Sequence, residues 1–282
     1  MVGFPIVDGS LTLEIEIVNV DDLHPHEEVI LQEVKYLSER IYIDNALHHP
    51  ILVDKNSSTV LDGMHRLAAI KSLGCNKILV CFVDYLNPLI AVHGWYRCYK
   101  EKISIDQIEK IDEKALLKPA SRNLDEIQGG LESRSIDLSI LTDNYYILQN
   151  DNSIEEIFKI IRQIQKSVTL PVIFEKEKQA FERFQEGEFA SILAFRSLRK
   201  GEIVKAAVNG YLFPCKTTRH VIPTRPIGIE IPLKKLCATK LSLQKLNEDL
   251  IDDLQKRKTK ILPAGSVIDG RKYEEELLLF RL

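Results

Sequence analysis

Long apolar runs are missing from this chain of 282 residues, and no stretch is long enough to span a bilayer. No basic segment followed by an apolar one stands at its start, so the expectation is a soluble, cytoplasmic protein with no membrane partner. Excess basic charge is missing too. Lys and Arg number 38 against 41 Asp and Glu, a formal net charge of −3, which argues against a protein built to coat DNA and leaves room only for local basic pockets. There is no C-x-x-C pair: Cys75, Cys81, Cys98, Cys215 and Cys237 are odd in number and scattered, and read as reduced thiols, neither a disulfide frame nor a zinc site. The common phosphate loops are also lacking, with no G-x-x-x-x-G-K-[ST], no dinucleotide fingerprint and no protein-kinase signature set. Internal repeats, low-complexity tracts and heptads are absent.

The most informative segment present is Leu61-Asp62-Gly63-Met64-His65-Arg66-Leu67-Ala68-Ala69-Ile70. It ends a β-type run (Thr59, Val60, Leu61) and opens a helical one, with Leu67, Ile70 and Leu73 at helical spacing and Gly74 as a stop. Asp62 occupies the expected N-cap and Gly63 permits a tight strand-to-helix turn. His65 and Arg66 then lie on the first helical turn, where free backbone N–H groups already favour an anion. A cation pair beside a positive helix end points to a phosphate.

The pattern around this turn predicts a mixed α/β fold. A strand over 11–20 is followed by the polar turn Asp21–Glu28, a helix over 29–41, and a hairpin formed by 50–54, the turn 55–58 and 59–61. A buried strand is expected over 77–85. A polar stretch over 103–141, broken at Gln128-Gly129-Gly130, is read as the junction between domains 1–120 and 121–282. Beyond it the spacing predicts strands at 169–174, 206–213, 228–232 and 275–280, and helices at 176–184, 189–198 and 241–258.

Three further clusters carry chemistry. His24-Pro25-His26-Glu27-Glu28 offers Glu27 or Glu28 as a general base, although glutamates also suit a helix start and no third ligand accompanies the two histidines. Cys215-Lys216-Thr217-Thr218-Arg219-His220 suits a carboxylate or phosphate, with Arg219 supplying a bidentate fork. His93-Gly94-Trp95-Tyr96-Arg97 holds the only Trp, read first as core and second as a pocket wall.

The stretch 22–85 resembles the ParB/sulfiredoxin-like superfamily, and within it most closely the free serine kinases, the archaeal enzymes and the SbnI type. The residues that carry the likeness are Asp62-Gly63-Met64-His65-Arg66 for D-G-[HV]-H-R and His49-Pro50-Ile51-Leu52-Val53 for H-P-I-L-V. The resemblance implies an α+β architecture: an N-terminal nucleotide-binding domain and a second α/β domain, with the active site in the cleft between. It implies a kinase phosphorylating the hydroxyl of free L-serine to O-phospho-L-serine, Glu27 and Asp62 being catalytic. Gly63, His65 and Arg66 would hold the nucleotide phosphates. Thr218, Arg219, His220 and Trp95 would bind the amino acid. Mg2+, with Asp62 as a protein ligand, and ATP or ADP as donor follow from the same likeness, ATP being favoured. So does a place in amino-acid metabolism such as cysteine synthesis. Met64 replaces the sulfiredoxin cysteine, which removes sulfinic reductase chemistry. The other class is a nucleotide-gated ParB-like DNA-binding protein, which the acidic balance and the lack of a clear helix-turn-helix disfavour.

Overall fold

In the computed structural model, which describes residues 3–104, 106, 117–121, 123–149, 152–238 and 240–281, hydrophobic pattern decides strand position. Strands β1 (Phe4–Asp8), β2 (Leu11–Asn19), β3 (Ile51–Asp54), β4 (Val60–Asp62) and β5 (Lys77–Val83) form one sheet in the order β1-β2-β5-β3-β4. β3 and β5 run parallel, and the other neighbours are antiparallel. The alternating β2 buries Leu11, Leu13, Ile15 and Ile17 on one face. By contrast, the continuous apolar runs 51–53 and 78–81 are buried throughout, as inner strands covered on both faces require. Helices α1 (Leu31–Asp44) and α2 (Met64–Ser72) pack together, α2 burying Leu67, Ala69 and Ile70.

The chain divides into two compact units, which differ from the consecutive 1–120 and 121–282 read from the sequence. The first comprises Met1–Ala91, Ile203–Cys215 and His220–Leu282, and the second Val92–Glu202 with Lys216–Arg219. The first unit therefore takes in the C-terminal residues, where Arg225–Ile227 pairs in parallel with Leu277–Arg281, and Lys258–Leu262 lies antiparallel on the other side. Ile227, Tyr273 and Leu277 form a small core there. A hairpin precedes it, Val267–Ile268 against Arg271–Lys272, turning at Asp269 (φ 49°) and Gly270 (φ 79°), the paired positive φ values that an Asp-Gly turn accommodates.

The second unit holds an antiparallel sheet whose main path runs Ile173–Lys176, Ala91–Tyr99, Ser191–Phe195, Leu138–Leu141, Tyr145–Leu148, Lys118–Pro119. Two sequence expectations fail here and one at its border. The segment 189–198 is not a helix: Ser191–Phe195 is an interior strand, buried at every residue. Gln128-Gly129-Gly130 is no break but lies inside the helix Leu124–Ser133, where a Cβ on Gly130 would stand 2.5 Å from Ile136 Cδ1. The segment 206–213 begins as the end of a helix, Lys200–Val208, not as a strand.

The cysteines correct another expectation. Cys75, just beyond α2, is disulfide-bonded to Cys237, 162 residues on, while Cys81 and Cys98 are buried thiols. Burial pushes the Cys81 and Cys98 thiols up to about 12, which leaves both as unreactive core residues. Because a long closed loop restricts the unfolded chain, Cys75→Ser or reduction should lower stability by about 2–4 kcal/mol. Thermal melts with and without dithiothreitol read this directly; identical curves would show that the bridge contributes nothing.

Candidate active site

The strand-to-helix turn forms as its residue types demand. Gly63 has φ 107°, a conformation closed to other residues, and a Cβ there would lie 2.4 Å from Ile51 Cγ2. Gly63, not Asp62, occupies the N-cap of α2, and a glycine brings no capping side chain to the positive end of the helix. Gly63→Ala should therefore destabilise the protein by at least roughly 1–3 kcal/mol, from overpacking against Ile51 plus backbone strain. Thermal melts check it, and a wild-type Tm would refute the geometric argument.

Freed from capping, Asp62 meets arginines. Its Oδ2 accepts from Arg225 Nη1 in a short contact and from Arg271 Nη1 at 3.2 Å, and Arg66 Nη2 lies 3.6 Å away. Partial burial raises the carboxyl, but Arg225, Arg271 and Arg66 outweigh it and hold Asp62 well below the usual carboxylate range. Asp62 is thus an anion throughout the physiological range. Arg66 is also tied to the upstream apolar motif: its Nη1 donates to Pro50 O at 2.8 Å and to His49 O at 3.2 Å. Arg225 continues the network, its Nε donating to Glu275 Oε1 at 2.8 Å.

The loop carrying Glu27 is pinned along its length. His24 N–H donates to Ser58 O and receives Val60 N–H on its own carbonyl, each at 2.9 Å. Phe213 N–H donates to His26 O, and Glu28 N–H to Phe213 O, both at 2.8 Å, so that Glu27 and Phe213 form an isolated bridge. Glu27 is 8% exposed beside the fully buried His26, whose Nδ1–H donates to Val60 O at 2.6 Å and whose Nε2 lies 3.6 Å from Glu27 Oε1.

One bond joins loop and turn. Ile30 N–H donates to His65 Nε2 at 3.0 Å, and Glu33 Oε2 lies 3.3 Å from the same nitrogen. These are alternatives: the neutral ring accepts from Ile30, whereas the protonated ring donates to Glu33. In the neutral state the proton sits on Nδ1.

The four residues expected to bind the amino acid do not share one compact unit. Trp95, Thr218 and Arg219 belong to the second unit, where Trp95 N–H donates to Thr217 O at 3.2 Å and the buried Arg97 donates to Trp95 O at 2.9 Å. His220 belongs to the first, buried beside His26 with ring centroids 5.6 Å apart, its Nε2 bonded to the Tyr85 hydroxyl at 2.7 Å. Burial and then the His26 ring push the His220 imidazole well below its ordinary value. It is neutral and offers an anion no charge. Arg225, Arg271 and Glu275 escaped the sequence reading; only the Asp269-Gly270 turn signalled a hairpin near Arg271.

No family model matches the chain. The ATP-dependent L-serine kinase of Staphylothermus marinus is 26% identical over 228 residues, covering 78% of this chain and 90% of that protein. The ADP-dependent L-serine kinase SerK of Thermococcus kodakarensis is 21% identical over 227 residues, covering 78% and 91%. A solved free serine kinase in complex with AMP superposes with a TM-score of 0.65 at 21% identity, over 79% of this chain and 93% of that one. The fold is that of the free serine kinases. In this chain the Asp62–Arg66 turn and Glu27 lie in the same unit.

Proposed function

We propose that the protein transfers a phosphoryl group from a nucleotide to the hydroxyl of free L-serine, giving O-phospho-L-serine. The observation that carries this reading is the Ile30–His65 hydrogen bond of 3.0 Å, which fixes the Glu27 loop to the phosphate turn. Phosphoryl transfer needs the donor phosphates held, their charge offset and the attacking hydroxyl aimed and deprotonated. The N-terminus of α2 with Gly63 supplies the N–H groups, and Arg66 supplies charge. His65 offers Nδ1–H while its other nitrogen anchors the loop. Glu27 takes the serine hydroxyl proton as general base.

The resemblance assigns the amino acid to Trp95, Thr218, Arg219 and His220. The first three remain candidates for its carboxylate, whereas the neutral His220 suits a hydrogen-bonding role with Tyr85. Both ATP-dependent and ADP-dependent relatives match this chain to a similar extent, and we take ATP as the first donor to try.

Magnesium fits the residues present in a limited way. All three guanidinium contacts fall on Asp62 Oδ2, while Oδ1 has no hydrogen bond among the described residues, and no group of three His, Cys, Asp or Glu side chains among them forms a metal cage. Asp62 Oδ1 would be the one protein oxygen for an ion that is otherwise held by phosphates, where it would offset their charge.

The test is phosphorus NMR of the purified protein with Mg2+ and L-serine, run separately with ATP and ADP. An O-phosphoserine resonance establishes the activity and its nucleotide dependence names the donor. Nucleotide binding without that resonance would overturn the kinase reading.

A further inference from the structure

The phosphate turn is surrounded by more cationic charge than its own sequence carries. Arg66, Arg225 and Arg271 converge on Asp62, and with Glu275 the cluster sets three guanidiniums against two carboxylates. The three are not equivalent. Arg225 is 4% exposed and doubly committed, to Asp62 and to Glu275, so it acts as the buried clamp that orients the Asp62 carboxylate. Arg66 is 20% exposed and spends Nη1 on two backbone carbonyls. Arg271 is 48% exposed, and among the described residues its ion pair is the 3.2 Å contact with Asp62.

Arg271 is also held in place from its own element. It follows the Asp269-Gly270 turn, and its guanidinium carbon lies 4.7 Å from the centroid of the Tyr273 ring, a stacking that restricts a planar cation without using its N–H donors. Asp269, on the other side of the turn, accepts from His49 Nε2 at 3.0 Å, and His49 Nδ1 accepts from Gly228 N–H at 3.0 Å. The hairpin is thereby fastened at two points to the segment that supports the turn, at His49 and at Asp62. A solvent-accessible, pre-oriented guanidinium that shares the Asp62 carboxylate with two other arginines, with Glu275 committed to Arg225, is under-neutralised. A phosphate oxygen offers it better charge balance and bidentate geometry.

We propose that Arg271 is a ligand of the donor's outer phosphates, delivered by the C-terminal hairpin, and that it takes phosphate oxygens when a nucleoside di- or triphosphate binds. The assignment rests on the proposed reading only in that the turn at Gly63 receives a nucleotide. It predicts discrimination by phosphate number: ATP and ADP gain from Arg271, and AMP gains little.

The experiment is calorimetric titration of wild type, Arg271→Ala and Arg271→Lys with ATP, ADP and AMP, alongside donor KM and kcat. Arg271→Ala should weaken ATP and ADP by about 10- to 100-fold, the loss expected for charge-assisted hydrogen bonds, with AMP nearly unchanged and partial recovery in Arg271→Lys. Unchanged ATP and ADP affinity would overturn the proposal. An equal loss for all three nucleotides together with a lower Tm would also overturn it, by making Arg271 a structural partner of Asp62 and nothing more. Wild-type protein that binds ATP through Arg271 and yet makes no O-phosphoserine would instead sink the kinase reading and leave this assignment standing.

Discussion

Glu27→Gln is expected to lower kcat for O-phosphoserine formation by about 100- to 10,000-fold, the usual range for removing a positioned general base, while ATP and ADP bind as they do to wild type. The substitution preserves size and hydrogen-bonding shape, and the loop is held by backbone bonds that it leaves in place. Backbone bonds from Phe213, the His24 contacts along the 55–58 turn and the Ile30–His65 bond all persist in the variant. What disappears is the ability to accept a proton. The product resonance measures turnover, and calorimetric titration measures binding. Full turnover in Glu27→Gln would remove Glu27 from the chemistry, whereas loss of nucleotide binding would mean that the carboxylate also shapes the phosphate turn.

The second large effect belongs to Asp62→Asn. Three guanidiniums face this carboxylate, and Arg225 among them is almost wholly buried. Stripping the charge from one partner of such a pair typically costs about 3–5 kcal/mol, because the remaining cation stays in a poorly solvated place. For a chain of this size that should lower Tm by roughly 6–20 °C, at about 2–4 °C per kcal/mol. The pH dependence has a definite sign. Since the folded carboxyl titrates well below its unfolded value, its stabilisation is fully present above the unfolded carboxylate pKa and is lost as pH falls through the folded one. The wild-type and Asp62→Asn melting curves should therefore stay a constant distance apart between about pH 5 and 8 and converge only in strong acid, below about pH 4. Curves that coincide at neutral pH would show that the arginines find equivalent partners elsewhere.

Local chemistry made the phosphate turn legible from sequence. Gly63 had to take a positive φ, the apolar spacing after it was helical, and His65 and Arg66 sat at its start; the geometry follows these constraints closely. The hairpin of β3 and β4 and the inner strand β5 were legible for the same reason, as short apolar runs bounded by turn residues. The role of Asp62 was not. Capping is the local solution for an Asp before a helix, but Arg225 and Arg271, 163 and 209 residues away, offered a stronger partner than a backbone N–H. No pattern in one sequence announces contacts of that separation. The segment 189–198 failed for another reason. A short apolar run such as Ile192–Phe195 suits a buried strand as well as a buried helix, and pairing on both sides with Ala91–Tyr99 and Leu138–Leu141 settled the matter. The helix Ile154–Ser167 escaped the sequence reading, although Ser153 and Glu156 form a reciprocal cap and Ile154, Ile157, Phe158, Ile161 and Ile164 share its buried face. That signal was present and unused.

The Cys75–Cys237 bond also makes the molecule a covalent ring with two tails. A protease that cuts once anywhere from residue 76 to residue 236, in a span that includes every residue of the second unit, opens the ring without releasing a fragment. The cleaved chain, heavier only by the water of hydrolysis, then stays one covalent species until a reductant is added. A cut at the C-terminal hairpin lies outside the ring and leaves the strand that follows it held only by its sheet pairing, with or without a reductant.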